Sequence, residues 1–184
     1  MSLKQDIALH TSIYNDFKPG VDFVDYNALN AAADVRIKIH HALADIVAHW
    51  QVDYLYLPDA RGFLLAPVAD LLKLPLQMAR KTGKLPGKTH TVQYGTEYSQ
   101  DSIDIAAIDL SGKNIAILDD VLATGGTALA VAEAVHAIGG KVTGFGAIYE
   151  VDGLNGRALL EQESIQVETF ITVSEVKKLK SLEA

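Results

Sequence analysis

Ile117 to Thr127 reads ILDDVLATGGT, with two carboxylates closing an apolar run and threonines and paired glycines following them. The preceding KNIAIL, Lys113 to Leu118, has the continuous apolar character of a buried strand. The following ALAVAEAVHAIGG, Ala128 to Gly140, has the make-up of a helix that stops on glycine. The odd piece is therefore expected on a strand-to-helix turn. Ala123, Thr124, Gly125, Gly126 and Thr127 offer consecutive backbone N–H groups, two hydroxyls, glycines that admit a ligand to the main chain, and the positive end of a helix dipole. Those features suit a phosphate. Asp119 and Asp120 stand too early to touch it and would repel it, but adjacent acceptors suit the hydroxyls of a sugar attached to it. A ribose 5-phosphate fits both halves. The plainer alternative is a turn in which Thr124 or Thr127 caps the helix and the aspartates are solvated.

Working outward, helical periodicity and strand-like runs alternate along the chain. A first helix is expected to end before FKPG at Phe17 to Gly20, and a second to run from Asp34 to Trp50 with Val35, Ile39, Leu43, Ile46 and Val47 on one face. Strands are expected at Val52 to Leu57, Leu74 to Arg80, Ser102 to Ile108, Lys113 to Leu118, Lys141 to Val151 and Ile165 to Val173, with helices at Phe63 to Leu72 and Leu154 to Glu161. The order predicts one α/β domain with a mainly parallel central sheet flanked by helices, in which ligands bind beyond the carboxyl ends of the strands.

The chain has 184 residues, 49% of them hydrophobic, enough for one substantial core. It contains no cysteine, which excludes disulfides, thiolate metal sites and a cysteine nucleophile. No stretch approaches the roughly 18 uninterrupted apolar residues of a membrane helix, and the N-terminus lacks a signal-peptide pattern, so a soluble, cytoplasmic protein is expected. A net charge of -7 argues against nucleic acid or an anionic membrane as partner. Yet no acidic residue lies between Asp70 and Glu97, while Lys73, Arg80, Lys81, Lys84 and Lys88 fall there. This acid-free window is either a solvated loop or a lid over a polyanion.

Other phosphate motifs fail. No Gly-x-Gly-x-x-Gly follows a strand, and TGKLPGKT at Thr82 to Thr89 resembles a P-loop but has threonine where the first glycine belongs and a strand-like HTVQYGTEY where a helix is required. The histidines His40, His41, His49, His90 and His136 have no metal-ligand spacing, and Trp50 and Tyr54 to Tyr56 read as core or subunit surface because no basic residue interleaves them.

ILDDVLATGGT resembles the phosphoribosyl pyrophosphate motif of type I phosphoribosyltransferases, in particular their adenine phosphoribosyltransferase branch. Three further stretches fall in the same order: PDARGFL at Pro58 to Leu64 is similar to the pyrophosphate loop, ARKTGKLPGKT at Ala79 to Thr89 to the start of the flexible hood, and YGTEYSQDSIDI at Tyr94 to Ile105 to the loop of the acid/base glutamate. The likeness covers Phe17 to Glu150. It implies the family fold, with a small N-terminal hood at about residues 17–30 that frames the base and a flexible loop, all within one domain spanning 1–184.

The resemblance also implies roles. Asp119, Asp120 and Ala123 to Thr127 would bind the ribose phosphate. Asp59, Ala60, Arg61, Arg80, Lys81, Lys84 and Tyr98 would bind pyrophosphate, with a non-proline cis peptide at Asp59–Ala60. Glu97 and Arg61 would be catalytic, Glu97 exchanging a proton with the purine once the lid closes over it. Asp22, Phe23 and Val24 would frame the base. Magnesium would be held by substrate oxygens and water and not directly by protein ligands. The reaction implied is transfer of the phosphoribosyl group to adenine, giving AMP and pyrophosphate, by a homodimer. Two departures stand out: Val24 occupies a position where the family usually has arginine, and Ser99 one where glycine is usual. Another purine as substrate, or a non-catalytic nucleotide-sensing regulator of the same fold, are the alternatives. The regulator would be expected to carry a DNA-binding segment or to lack Glu97.

Overall fold

A computed structural model of the chain describes residues 2–18, 21–96 and 99–182. Helix α1, Leu3–Leu9, starts from a capping box in which the Ser2 hydroxyl accepts from the Gln5 N–H and the Gln5 side chain accepts from the Ser2 N–H. It ends eight residues before the boundary read from the sequence. Residues Ser12–Lys18 form strand β1, which pairs antiparallel with β2, Val21–Asp25, in the register Ile13 to Val24 and Tyr14 to Phe23. Cross-strand pairing and the burial of Val24 override any local helical preference here. The Thr11 hydroxyl also turns back to the Ile7 carbonyl and lies 2.6 Å from the Tyr149 hydroxyl, which fixes the chain as it leaves α1.

Two helices follow, α2 at Asn27–Ala31 and α3 at Ala33–His49, the latter within a residue of its expected span. Strand β3, Tyr54–Pro58, leads into a 3-10 turn at Arg61–Leu65 and then α4 at Pro67–Leu72. The sequence suggested one continuous helix there. Pro67, which has no N–H to donate, opens a new helix and divides the stretch. Strand β4, Leu76–Lys81, is followed by a hairpin of β5, Thr89–Thr96, and β6, Ser99–Ala106. The chain then continues through β7, Asn114–Leu122; α5, Gly126–Ala137; β8, Lys141–Glu150; α6, Gly156–Gln162; β9, Gln166–Thr172; and α7, Val173–Ser181. Helix α7 has no counterpart in the sequence reading and begins with a second capping box, Thr172 with Glu175.

The main sheet has the order β5-β6-β4-β3-β7-β8-β9. The five strands from β4 to β9 in that order run parallel, and the β5–β6 hairpin joins antiparallel through β6 against β4. The sequence expectation of an α/β fold with a mainly parallel sheet is met. Strand alternation divides the core in two: Leu55, Leu57, Ala116 and Leu118 face α1 and α3, whereas Tyr56, Ile115 and Ile117 face α5. Trp50 and Tyr56 are core residues, and Gly144 leaves room for the indole, since a Cβ there would stand 2.3 Å from a Trp50 ring carbon. Among the described residues, no helix is long and apolar enough to cross a membrane.

Candidate active site

The central strand β3 and its neighbour β7 end side by side, and both loops singled out in the sequence emerge there. Strand β7 runs further than the apolar pattern indicated, through Asp119 and Asp120 to Leu122. Pairing with β8 up to Leu122 and Glu150 explains the extension. The two carboxylates line different cavities yet stay in contact, since the Asp120 N–H donates to Asp119 Oδ1 at 2.8 Å and the two side chains interact directly. Asp119 lines a pocket of about 80 Å³ with Ala123, Thr124, Gly125, Gly126 and Thr127. Asp120 lines a separate small cavity with Tyr26, Arg36, His40 and Arg61.

Gly125 takes φ +81°, a left-handed conformation open to glycine, and stands directly before α5. No side chain caps that helix, so the plainer alternative of a threonine cap does not hold. The Thr124 hydroxyl lies 3.5 Å from the Gly126 nitrogen. Apart from that long contact, the first turn of α5 presents backbone N–H groups with no side-chain cap from Gly125 to a pocket that also contains two hydroxyls.

The loop after β3 contains a cis peptide between Asp59 and Ala60, as the family resemblance implied. It is held close to β7 by Gly62, where a Cβ would lie 3.0 Å from the Leu118 carbonyl oxygen and 3.3 Å from Asp119 Oδ1. Arg61 extends from this loop across to Asp120, with Nη1 3.1 Å from Oδ2. Its guanidinium also stands 5.5 Å from the centre of the Phe23 ring and 5.7 Å from that of Tyr26. One arginine thereby links the loop after β3, the acidic pair and the hairpin residue expected to meet the base.

The electrostatics at this junction are unusual. Burial, then the charge of the adjacent Asp120, raise the Asp119 pKa well above the ordinary 3.8, and Arg61 offsets part of the effect. Burial also raises the Tyr26 hydroxyl pKa, with Asp120 adding to it, and that hydroxyl is buried without a hydrogen-bond partner in the structure. Tyr26 was not singled out in the sequence. Its only local signal was an aromatic residue beside the hood motif.

The acid-free window acquires acids from elsewhere in the chain. Arg80 Nε donates to Asp59 Oδ2 at 3.3 Å, and its guanidinium lies 5.8 Å from the Phe63 ring centre. Lys81 stands 3.7 Å from Asp101, and the Lys84 carbonyl accepts from Arg80. Buried Asp104 of β6 accepts from the Thr82 hydroxyl, the Gly83 N–H and the Thr91 hydroxyl, fixing the start of the loop to the hairpin. Nothing local marked Asp104 for this role.

The structure places Phe23 half-exposed beside Arg61, while Val24 points into the core and is 5% exposed. The side chain of Asp22, and Glu97 and Tyr98 entirely, lie outside the described residues. The strand β5 reaches the pocket lined by Asp119 and Ala123 to Thr127, because Tyr94 lies against the start of α5, its ring 3.7 Å from the position of a Cβ on Gly126. His40 is buried, with Nε2 3.2 Å from the Leu64 carbonyl, and burial lowers its pKa. Among the described residues, no group of three or more histidines, cysteines or carboxylates gathers as a metal site.

A phosphoribosyl transferase domain matches residues 25–177, and the chain belongs to that family. Its relatives narrow the branch. An adenine phosphoribosyltransferase of Mycolicibacterium smegmatis is 43% identical over 155 residues, covering 82% of this chain and 85% of that protein. The crystal structure of the adenine phosphoribosyltransferase of Thermoanaerobacter pseudethanolicus superposes with a TM-score of 0.86 at 33% identity, covering 92% of this chain and 99% of the other. That of Saccharomyces cerevisiae, complexed with an imino-altritol bisphosphate and adenine, matches with a TM-score of 0.82 at 30% identity over 91% of this chain and 98% of the other. The adenine branch read from four sequence motifs is thus the one its relatives occupy.

Proposed function

We propose that the protein transfers the 5-phosphoribosyl group of phosphoribosyl pyrophosphate to adenine, giving AMP and pyrophosphate in purine salvage. The observation that carries this reading is the uncapped start of α5 behind Gly125, opening on a pocket that also contains Asp119. Backbone N–H groups and the hydroxyls of Thr124 and Thr127 bind the 5-phosphate, and Asp119 and Asp120 serve the ribose hydroxyls. As the bond at the sugar carbon breaks, positive charge grows on the ribose and negative charge on the leaving oxygens. Arg61, Arg80, Lys81 and Lys84, with Asp59, Ala60 and Tyr98, hold that pyrophosphate. Arg61 and Arg80 must exchange their present carboxylate partners, Asp120 and Asp59, for substrate oxygens. Glu97 exchanges a proton with the purine when the hairpin closes. Phe23 stacks on the base, and the backbone about Asp22 and Val24 supplies its hydrogen bonds.

Magnesium fits this donor set as an ion carried on substrate oxygens and water, because Asp119 and Asp120 alone are too few protein ligands to make a cage of their own. It would neutralise charge on the pyrophosphate. The buried position of Val24 supports adenine recognition by backbone, since that side chain packs in the core and leaves base contacts to the main chain and Phe23. The sensor alternative is not favoured, since the relatives carry the names of enzymes. We further read the whole chain as one domain with residues 17–30 as the hood, working in the cytoplasm as a homodimer. Ile37, Leu64, Leu71 and Met78 are exposed apolar side chains that support the dimer.

The test is incubation with magnesium, phosphoribosyl pyrophosphate and, separately, adenine, hypoxanthine, guanine, xanthine and orotate, with nucleotide quantified by chromatography. AMP from adenine is the expected product. Another nucleotide would move the specificity, and binding without turnover would restore the sensor. Glu97→Gln should lower kcat by about 10²-fold or more, and full turnover in that variant would remove its proton-transfer role.

A further inference from the structure

Behind the phosphate loop lies a contact that the reaction scheme does not use. Gly156, the buried first residue of α6, meets the loop backbone to backbone: a Cβ on it would stand 2.2 Å from the Ala123 carbonyl oxygen, 2.9 Å from the Gly125 nitrogen and 3.0 Å from the Thr124 carbonyl carbon. The approach is reciprocal, because a Cβ on Gly125 would lie 3.1 Å from the Gly156 carbonyl oxygen. Backbone at such range leaves no space for a side chain on either residue.

The next residue, Arg157, fixes this approach. Its Nε donates to Glu150 Oε1 at 3.0 Å and Nη2 to Glu150 Oε2 at 2.6 Å, a two-pronged pair. Nη1 donates to the Val167 carbonyl at 2.8 Å, and Nη2 also donates to the Thr169 hydroxyl, which in turn donates to Glu150 at 2.7 Å. Glu150 is paired in register with Leu122, one residue before the loop. The clamp therefore ties α6, β8 and β9 together at the strand end from which the phosphate loop departs. None of Glu150, Gly156, Arg157 and Thr169 lines the pocket that Ala123 to Thr127 line, so they meet the loop from outside it.

We infer that Gly156 and the Glu150–Arg157–Thr169 clamp are positioning residues for ribose 5-phosphate binding, forming the rigid wall that holds the Ala123–Gly125 peptides with their N–H groups aimed at the phosphate. The inference rests on the reading of that loop as the phosphate site. A fixed wall matters because displacement of such donors by about 1 Å can change binding or rate by up to roughly 10²-fold.

The experiment is titration calorimetry with ribose 5-phosphate and with AMP, alongside steady-state KM values for phosphoribosyl pyrophosphate and adenine and a melting curve, on the full chain. Gly156→Ala should weaken ribose 5-phosphate roughly tenfold or more and raise KM for phosphoribosyl pyrophosphate in parallel, while KM for adenine stays within about twofold. Arg157→Met should do the same in smaller measure and Arg157→Lys should recover part of the loss, which keeps the test decisive if Gly156→Ala does not fold. Variants that lower Tm yet keep wild-type affinity for ribose 5-phosphate would overturn the wall while leaving the phosphate site standing. If the wild-type chain itself binds no ribose 5-phosphate, or Thr127→Ala and Thr124→Ala leave that binding unchanged, the phosphate-site reading fails and the wall fails with it.

Discussion

Asp104 and Asp120 are both almost fully removed from solvent, 3% and 4% exposed, yet the protein surrounds them differently. Asp104 accepts three hydrogen bonds from the neighbouring loop and strand. Burial raises its pKa, the bonds from Thr91, Gly83 and Thr82 lower it by more, and the outcome lies below the ordinary 3.8. Asp120 has the Arg61 guanidinium at 3.1 Å, but Oδ2 forms no hydrogen bond in the structure, and the next residue, Asp119, is held towards its neutral form. A carboxylate whose acceptors are filled by the chain holds the chain together. One left short of donors, beside a second carboxylate and an exposed arginine, is prepared for a ligand at a cost in stability.

The strongest challenge to this contrast is Asp120→Ala set against Asp104→Ala. Removing Asp120 should lower kcat/KM by about 10²–10³-fold with little change in Tm, since the partner it frees, Arg61, is already half in solvent. Wild-type kcat/KM in that variant would end the functional reading of the acidic pair. Asp104→Ala should do the reverse and destabilise the fold by about 2–3 kcal/mol, because three donors lose their acceptor, two of them on the loop beside the cations. A denaturant midpoint unchanged in Asp104→Ala would break the comparison from its structural side.

A smaller effect follows from Asp119. Replacing it by asparagine removes a group that resists ionising where it stands, so Tm near neutral pH should rise by about 2–4 °C, the response to roughly 1 kcal/mol in a chain of this size, while turnover falls. The two sites also predict opposite limbs of a stability–pH curve. The folded pKa of Asp119 is raised, so its contribution is fully present below 3.8 and is lost as pH rises through the folded value. That of Asp104 is lowered, so its contribution is present above 3.8 and is lost as pH falls through the folded value. Asp119→Asn should flatten the loss on the rising-pH side and Asp104→Asn the acid loss; urea midpoints across pH would show either limb, and identical curves for both variants would remove the distinction.

Much of the site was legible in the chain because its signals are short-range. A left-handed glycine, a helix start and an apolar strand lie within the eleven residues of ILDDVLATGGT, so the strand-to-helix turn could be read there. The motif order supplied the cis peptide at Asp59–Ala60. The hairpin pairing in the hood was missed because β1 and β2 are strands only through each other, and the residues of β1 before Phe17 had been given to a helix. The basic window read as unopposed because its acids, Asp59, Asp101 and Asp104, arrive from 20 to 22 positions away.

The sequence by itself determined the α/β alternation, the location of the turn between β7 and α5 and the family, since periodicity, turn residues and motif order are properties of consecutive positions. Only the tertiary structure decided that Asp119 and Asp120 line different cavities, that Arg61 spans Asp120 and Phe23, and that Gly156 packs against the Ala123–Gly125 backbone. The reason is physical: strand pairing and close packing set which distant side chains meet, and the energy of those meetings depends on burial that no local window contains.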